Sequence, residues 1–127
     1  MAGLNIFSGF PDLAAHLGQL DQAITASAVN TYTASCVLQL VDAGAVVEMD
    51  SGSGITVTIP TNATIPFPVG TSITVVALGA GTVTVAAAGG VTLLSASGNV
   101  NLSAQYAAAT LYQRAANTWV LIGSLSA

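Results

Sequence analysis

Ile55-Thr-Val-Thr-Ile59 and Ile73-Thr-Val-Val-Ala77 are the two segments that decide the fold of this chain. Both are short and rich in β-branched residues, and clusters of Gly, Pro, Ser and Asn flank them. This is the pattern of short β-strands joined by turns. Segments of the same kind recur between Tyr32 and Trp119, so the sequence predicts an all-β domain of short antiparallel strands.

The strict alternation in the first segment predicts which side chains face the core. Ile55, Val57 and Ile59 are expected to point inward, and Thr56 and Thr58 outward, because successive side chains of a strand point to opposite faces. Nine strands are placed at 32–40, 45–49, 54–60, 72–78, 82–87, 91–95, 99–103, 108–114 and 118–125. Eight or nine strands at this spacing predict an antiparallel β-sandwich or jelly roll over residues 31–127.

A weak internal repeat is also visible. Gly81-Thr-Val-Thr-Val85 is similar to Gly54-Ile-Thr-Val-Thr58. A solenoid requires a constant period across the whole domain, and the sequence does not show one, so a solenoid is not predicted.

The composition points to association. Of the 127 residues, 53% are hydrophobic and only 5% are charged, whereas about a quarter of the residues in a typical soluble domain are charged. The surface must therefore consist mainly of Ala, Gly, Thr and Ser, which repel other copies only weakly. We expect an oligomer or a component of a larger assembly.

Charge and hydropathy exclude several classes of partner. The mean hydropathy is +0.76, but Gly and Thr interrupt the most apolar region, 73–91, which therefore reads as strands rather than as a membrane-spanning helix. Arg114 is the only basic side chain and the net charge is −4, so binding to nucleic acid or to an anionic membrane surface is not expected. The N-terminus carries no signal-peptide pattern, and we expect the protein to be made and used in a cytoplasm.

Residues 1–30 are predicted to form a docking arm followed by a short amphipathic helix. The arm is aperiodic but carries large apolar side chains, and the apolar positions after Pro11 have the a/d spacing of a coiled coil. Two alternatives remain for the helix: a short oligomerising stalk, or packing on its own β domain. The predicted subunit or capsid contacts are Leu4, Ile6, Phe7, Phe10, Leu13, Leu17, Leu20 and Ile24.

No catalytic, metal or cofactor site is predicted, and the chain is not expected to be an enzyme. Asp42, Glu48 and Asp50 could meet where two strands turn, but as ordinary turn formers they are expected to be solvated rather than to bind Ca²⁺ or to hydrolyse a glycoside. His16 has no companion ligands and is expected to be solvated or at an interface. Cys36 lies in an apolar segment and is expected to be a buried, unreactive thiol.

An ordered series of short motifs resembles a family of small β modules in virion proteins of tailed phages. The series covers about 95 residues and includes Asp42-Ala-Gly44, Val47-Glu-Met49, Thr56-Val-Thr-Ile-Pro60, Phe67-Pro-Val-Gly-Thr71, Gly79-Ala-Gly81, Gly90-Val-Thr92, Gln105-Tyr106, Ala109-Thr-Leu111 and Leu121-Ile-Gly123. Phe67 is expected to lie in a rigid turn with its aromatic ring packed beneath it, and Trp119 is expected to be buried in the core or in an interface. Modules that look like this one occur in tail fibres, in head fibres and in capsid-decorating proteins, commonly as trimers.

The resemblance implies a non-enzymatic structural protein of a bacteriophage virion. Only about 30 residues precede the module here, too few for a fibre shaft, which favours a homotrimeric capsid decoration or cement protein. It would bind the major capsid protein on the outer capsid surface after assembly in the host bacterial cytoplasm. The alternative is a tail- or head-fibre tip that binds a host receptor through exposed aromatic side chains such as Tyr106, Tyr112 or Trp119.

Overall fold

Eleven strands in two mixed β-sheets contain about half of residues 27–127, the part of the chain that the computed structural model describes. The strands are β1 (Val29–Tyr32), β2 (Cys36–Val37), β3 (Val46–Met49), β4 (Ile55–Ile59), β5 (Ser72–Ala77), β6 (Val83–Ala87), β7 (Thr92–Ser95), β8 (Asn101–Leu102), β9 (Ala108–Ala115), β10 (Thr118–Gly123) and β11 (Leu125–Ser126). Single 3-10 turns lie at Leu40–Asp42 and Ala96–Gly98. The predicted N-terminal helix and most of the arm domain, residues 1–26, lie outside the described residues.

From β1 to β9 the chain alternates between the two sheets, and β9 and β10 then follow each other in the same sheet. Sheet A has the strand order β1-β3-β5-β9-β10-β7, and sheet B has the order β11-β8-β6-β4-β2. The all-β prediction is thus confirmed, but the prediction of an antiparallel fold is wrong. Strands β1, β3 and β5 pair in parallel, as do β2, β4 and β6, and β7 pairs in parallel with β10. Antiparallel pairing is found where β8, β9 and β11 join the sheets.

Parallel pairing arises because the chain winds from one sheet to the other and back, so each strand lies beside the strand one turn later. β3 pairs with β5 from Val46 with Thr74, and β4 pairs with β6 from Ile55 with Val83. Both pairs have the same offset of 28 residues. The weak repeat lies in these two stacked turns, but the sequence similarity aligns Gly54 with Gly81, an offset of 27 that is one residue short of the strand register. No such period extends over the whole domain.

The corners of these two turns stack as closely as the strands do. The corner after β3 spans 50–54 and the corner after β5 spans 78–82. The backbone N–H of Gly79 donates to the carbonyl oxygen of Met49 (3.2 Å), and that of Gly81 donates to Ser51 (2.8 Å). A Cβ atom at either glycine would collide with the backbone of the corner beneath it, Gly79 with Ser51 and Gly81 with Ser53. Glycine is needed at both positions because the two backbones approach so closely.

Most predicted strands lie within two residues of the observed ones, with two exceptions. The predicted strand 32–40 is wrong: β1 ends at Tyr32, β2 comprises only Cys36–Val37, and a 3-10 turn begins at Leu40. The predicted strand 118–125 is divided, because the chain leaves sheet A after Gly123 and enters sheet B at Leu125.

The core lies between the inner faces of the two sheets. Ile55, Val57 and Ile59 point inward as predicted, with Val57 and Ile59 fully buried. The prediction for Trp119 as a core anchor is confirmed, since only 1% of its surface is exposed and its ring packs edge-on against Phe67 at 5.4 Å. The Phe67 turn is also confirmed: the Thr71 N–H donates to the Pro68 carbonyl oxygen, and Gly70 has a φ of +92°.

Buried Gln113 fastens this turn to β9. Its amide fits two orientations, and we adopt the one in which the nitrogen donates to the carbonyl oxygens of Phe67 (2.8 Å) and Pro68 (3.0 Å). In the other orientation the nitrogen would donate to Asn62 Oδ1 at 3.3 Å, and the amide oxygen would face only acceptors. These two hydrogen bonds join the turn to β9, and the Pro68 carbonyl oxygen also accepts from Thr71 Oγ1 at 2.6 Å, so the turn is a fixed part of the core.

Candidate interaction faces

The outer face of sheet A is a broad surface of β-branched and apolar side chains. Alternation of buried and accessible residues along the strands assigns its members, and the strand register places them in rows. One row crosses five strands without a charge: Val29, Val46, Thr74, Thr110 and Ile122. A neighbouring row contains Ser72, Tyr112, Val120 and Leu94.

Several of these apolar side chains are well exposed. Val29 is 60% exposed, Ile122 58% and Leu94 43%. Isolated exposed apolar residues are normal, but a contiguous apolar face on a folded domain is typical of an interaction surface.

The outer face of sheet B is different in chemistry. Its central row consists of Thr56, Thr84, Asn101 and Ser126, which are neighbours across β4, β6, β8 and β11. Thr84 Oγ1 donates to Asn101 Oδ1 at 2.7 Å. Hydroxyl and amide groups form hydrogen bonds to water, so this face is well hydrated when exposed. Covering the face of sheet A costs less free energy, because fewer of its groups must give up such hydrogen bonds.

Two charged side chains lie at opposite ends of the sheet A face. Glu48 lies on β3 and accepts a hydrogen bond from Thr31 Oγ1 at 2.8 Å. Arg114 lies near the end of β9, directly after buried Gln113, where a bulge shifts the register between β9 and β10. Arg114 is exposed and is the only basic residue of the chain. The alternation of burial along β9 places Arg114 on the same outer face as Thr110 and Tyr112.

A cleft of about 410 Å³ borders the sheet A face at its β7 margin. Leu94, Val120 and Ile122 contribute its apolar wall, and the turn after β7 contributes Ser97 and Asn99. Ser97 adopts a left-handed conformation with φ of 56°. The hydroxyl of Ser95 in this lining is buried and has no hydrogen-bond partner among residues 27–127. The cleft extends the apolar face with a concave margin.

Asp42 is the most unusual polar residue of the described chain. It is fully buried, and its carboxylate accepts hydrogen bonds from Asn30 Nδ2 (2.8 Å), the Tyr32 hydroxyl (2.9 Å) and the Gln39 backbone N–H (2.9 Å). The prediction that Asp42 is solvated is therefore wrong. The carboxylate connects β1 to the turn before β3 and thereby stabilises this part of the fold.

The Asp42 carboxylate also influences two neighbouring titratable groups. Burial, together with the hydrogen bond and charge of Asp42, raises the pKa of Tyr32 from 10.0 to about 12. Burial, followed by the Asp42 charge, raises the pKa of Cys36 from 9.0 to about 11. The Cys36 side chain is only half-buried against the core, so the predicted burial is met in part, and its low reactivity stays a prediction.

Tyr106 is the most exposed aromatic residue of residues 27–127. It is 72% exposed and has a φ of +67°. It occupies the third position of a turn from Ala104 to Ala107, closed by the Ala107 N–H donating to the Ala104 carbonyl oxygen. Glycine or asparagine is usual at that position, so a tyrosine there is a strained choice. The structure fixes the turn against β5, because the Tyr106 N–H donates to Ala77 and Gln105 Nε2 donates to Leu78.

The predicted contact residues have different outcomes. Tyr112 is partly exposed on the sheet A face, whereas Trp119 is buried and cannot serve as an exposed stacking ring. The predicted arm and helix contacts, Leu4 to Ile24, and His16 lie outside the described residues. The sheet A face was not among the sequence predictions, and its signal was the run of uncharged alternate positions on β5, β9 and β10.

Asp42, Glu48 and Asp50 do not form a metal site. Within residues 27–127, no three His, Cys, Asp or Glu side chains are grouped so that they could hold a metal ion. The same part of the chain contains no helix with the length and apolar character needed to cross a bilayer.

Comparison with protein-family models, with curated proteins and with solved structures finds no match to this chain.

Proposed function

We propose that this protein is a non-enzymatic structural component of a phage virion, a homotrimeric decoration protein that binds and stabilises the outer capsid. The observation that carries the proposal is the pair of broad outer faces that are almost without charge, one apolar and one bearing hydroxyl groups. A chain whose surface repels neighbours so weakly is suited to permanent burial in an assembly. The resemblance to phage virion modules supplies the kind of assembly.

The proposed mechanism is binding alone. Copies associate through one face, and the trimer contacts the major capsid protein through other surfaces and through the apolar residues of the N-terminal arm. Each contact is weak, but the contacts of one trimer act together, because the first contact raises the effective concentration of the others. Ties across capsid subunits then resist mechanical and thermal disruption of the shell.

A binding experiment tests this function. Purified full-length protein is mixed with capsid shells that lack it, from the phage that encodes it, and in parallel with host cells. We expect stoichiometric capsid binding, no cell adsorption, and loss of capsid binding when residues 1–10 are deleted. Cell adsorption without capsid binding would contradict the decoration function.

One observation favours a fibre tip that recognises a receptor as the second candidate. Tyr106 displays an aromatic ring on a strained but well-anchored turn, and strained residues often serve a function. Such a ring could stack on a host glycan. In this case Tyr106→Ala would abolish cell adsorption while leaving the fold and oligomeric mass unchanged, and deletion of residues 1–10 would not affect adsorption.

A further inference from the structure

We propose that the outer face of sheet A is the surface through which copies of this chain associate, and that Glu48 of one copy pairs with Arg114 of the next. The occupant of the face is thus a second copy. This inference concerns the purified protein and does not depend on a capsid or on a host. The proposed interface can therefore be wrong while the virion function is right, and the virion function can be wrong while the interface is right.

The first argument is the chemistry of the face. Its central rows offer Val46, Val120, Ile122 and Leu94 with threonines between them, and the two charged residues lie at the ends. A partner of similar composition covers such a face without burying an unpaired charge in its centre. The outer face of sheet B carries fewer large apolar side chains, with Val37 beside Thr58 as its exposed one.

The second argument is the separation of the two charges. Glu48 is in register with Val76 and, through it, with Ala108 on β9. Arg114 lies six residues beyond Ala108 on the same strand, which is about 20 Å at roughly 3.4 Å per residue. The two side chains of one copy therefore cannot meet. In a ring of three copies in which the acidic end of one face adjoins the basic end of the next, each glutamate meets an arginine of another copy. A two-fold pair placed face to face with opposite ends together makes the same pairing.

The third argument is the absence of an alternative acid near Arg114 in the described chain. Residues 27–127 contain three acids. Asp42 is fully buried in its own hydrogen-bond network, and Asp50 follows β3 at the Glu48 end of the face. The face thus has an acidic end and a basic end, which is the arrangement that fixes the register of a self-complementary or cyclic contact.

The area is sufficient for a specific contact. The six strands are four to eight residues long, and at about 3.4 Å per residue and about 4.8 Å between strands they present roughly 500 Å² per copy. Two faces together therefore bury about 1,000 Å², the size at which specific interfaces begin. The cleft beside Leu94 and Ile122 adds a concave margin to this area.

Charge reversal tests the proposal. The association constant of the full-length protein is measured by sedimentation velocity over a range of concentrations for wild type, Glu48→Arg, Arg114→Glu and the double variant. Each single reversal places like charges together, which should weaken association about 100-fold. The double variant exchanges the two charges and should return to within about fivefold of wild type. Thr58→Arg, on the outer face of sheet B, is the matched control and should change association less than about twofold.

The outcomes are distinct. Recovery in the double variant excludes misfolding as the cause of the single effects, because it carries both substitutions, and circular dichroism checks the fold of each variant. Single variants that associate as wild type does would overturn the proposal, as would a double variant as weak as the singles. If Arg114→Glu acts but Glu48→Arg does not, the arginine has another partner and the proposal also fails.

Discussion

Cys36 is a half-buried thiol whose raised pKa predicts low reactivity. At pH 8 a thiol with a pKa of about 11 has roughly 100-fold less thiolate than one with the ordinary value of 9.0, and only the thiolate is alkylated. We expect iodoacetamide to modify native protein about 100-fold more slowly than protein unfolded in urea, measured by intact mass. Equal rates in the two states would show that the thiol is not held in the core as described.

Asp42 illustrates how a buried carboxylate can be stabilised without a cation. Its three donors come from Asn30, Tyr32 and Gln39, and Asp42→Asn would turn an amide N–H₂ toward groups that donate. We expect a loss of about 3 kcal/mol in the free energy of unfolding, since hydrogen bonds to a charged group contribute about 1.5–3 kcal/mol and a buried mismatch adds to the loss.

Urea unfolding at one fixed protein concentration measures this loss, because association would otherwise change the apparent stability. Asp50→Asn is the control: it removes the same charge from an exposed position and should change stability by no more than about 0.5 kcal/mol. A similar effect of both substitutions would mean that net charge, rather than the hydrogen bonds of Asp42, sets the stability.

The Tyr32 hydroxyl predicts a stability difference that depends on pH. The folded pKa is raised to about 12 from 10.0, so the neutral hydroxyl contributes fully below pH 10, and its contribution is lost as the pH rises from 10 to about 12. We expect Tyr32→Phe to cost about 1.5 kcal/mol at pH 8, and the difference from wild type to shrink toward zero near pH 12. Urea unfolding of both proteins at each pH measures the difference, with Cys36→Ala introduced in both, because the charge of Cys36 also raises the pKa of Tyr32.

At the scale of elements, the stacked corners 50–54 and 78–82 predict which glycines are essential. Gly79→Ala and Gly81→Ala would push a Cβ into the backbone of Ser51 and Ser53, and overpacking of this kind costs about 1–3 kcal/mol. Gly52→Ala is the matched control, because it lies in the same pair of corners with no atom within 4 Å of the new Cβ. Its effect should lie within about 0.5 kcal/mol, and could be slightly stabilising.

Thermal unfolding distinguishes these variants, since 1 kcal/mol shifts the melting temperature of a domain of about 100 residues by roughly 4–8 °C. If the melting temperatures of all three variants equal that of wild type, the two corners are not in contact.

The strands themselves were largely predictable, because alternation in segments such as Ile55-Thr-Val-Thr-Ile59 depends only on which side chains face the core. Their pairing was not. Apolar and polar residues alternate in the same way in parallel and in antiparallel strands, so alternation does not reveal the pairing. The offset of 28 residues is shared by just two pairs of strands, which is too few to show a repeat in the sequence. The short β2 was missed because an apolar segment from Cys36 to Leu40 fits a strand, whereas the hydrogen bonds of Asp42 bend it into a turn.

The candidate site was less predictable than the fold. Buried Asp42 is in an Asp-Ala-Gly sequence that is typical of exposed turns, and its partners Asn30 and Tyr32 come from a strand that pairs with β3 only in the folded chain. The sheet A face likewise exists only when β3, β5, β9 and β10 lie side by side, since no single strand carries more than a few of its residues.

At the scale of the whole molecule, the two outer faces assign different roles to the two sheets. The face of sheet A can be covered at little electrostatic cost, and the face of sheet B is suited to water or to a polar neighbour. A chain with a net charge of −4 and one basic residue has little long-range attraction for a copy of itself. Association must therefore depend mainly on apolar contact, with Glu48 and Arg114 fixing the orientation.

This division predicts how association responds to salt. Exposed ion pairs contribute about 0–1 kcal/mol each and are screened by salt, whereas apolar burial is strengthened by sulfate. We expect the association constant of wild type to fall less than about tenfold between 0.1 and 1 M NaCl, and to rise when ammonium sulfate replaces NaCl at equal ionic strength, both measured by sedimentation velocity. The weakened single variant Arg114→Glu should instead associate more strongly in 1 M NaCl, because salt screens its repulsion from Glu48. Dissociation of wild type in high salt would show that charge, rather than the apolar rows of sheet A, holds the copies together.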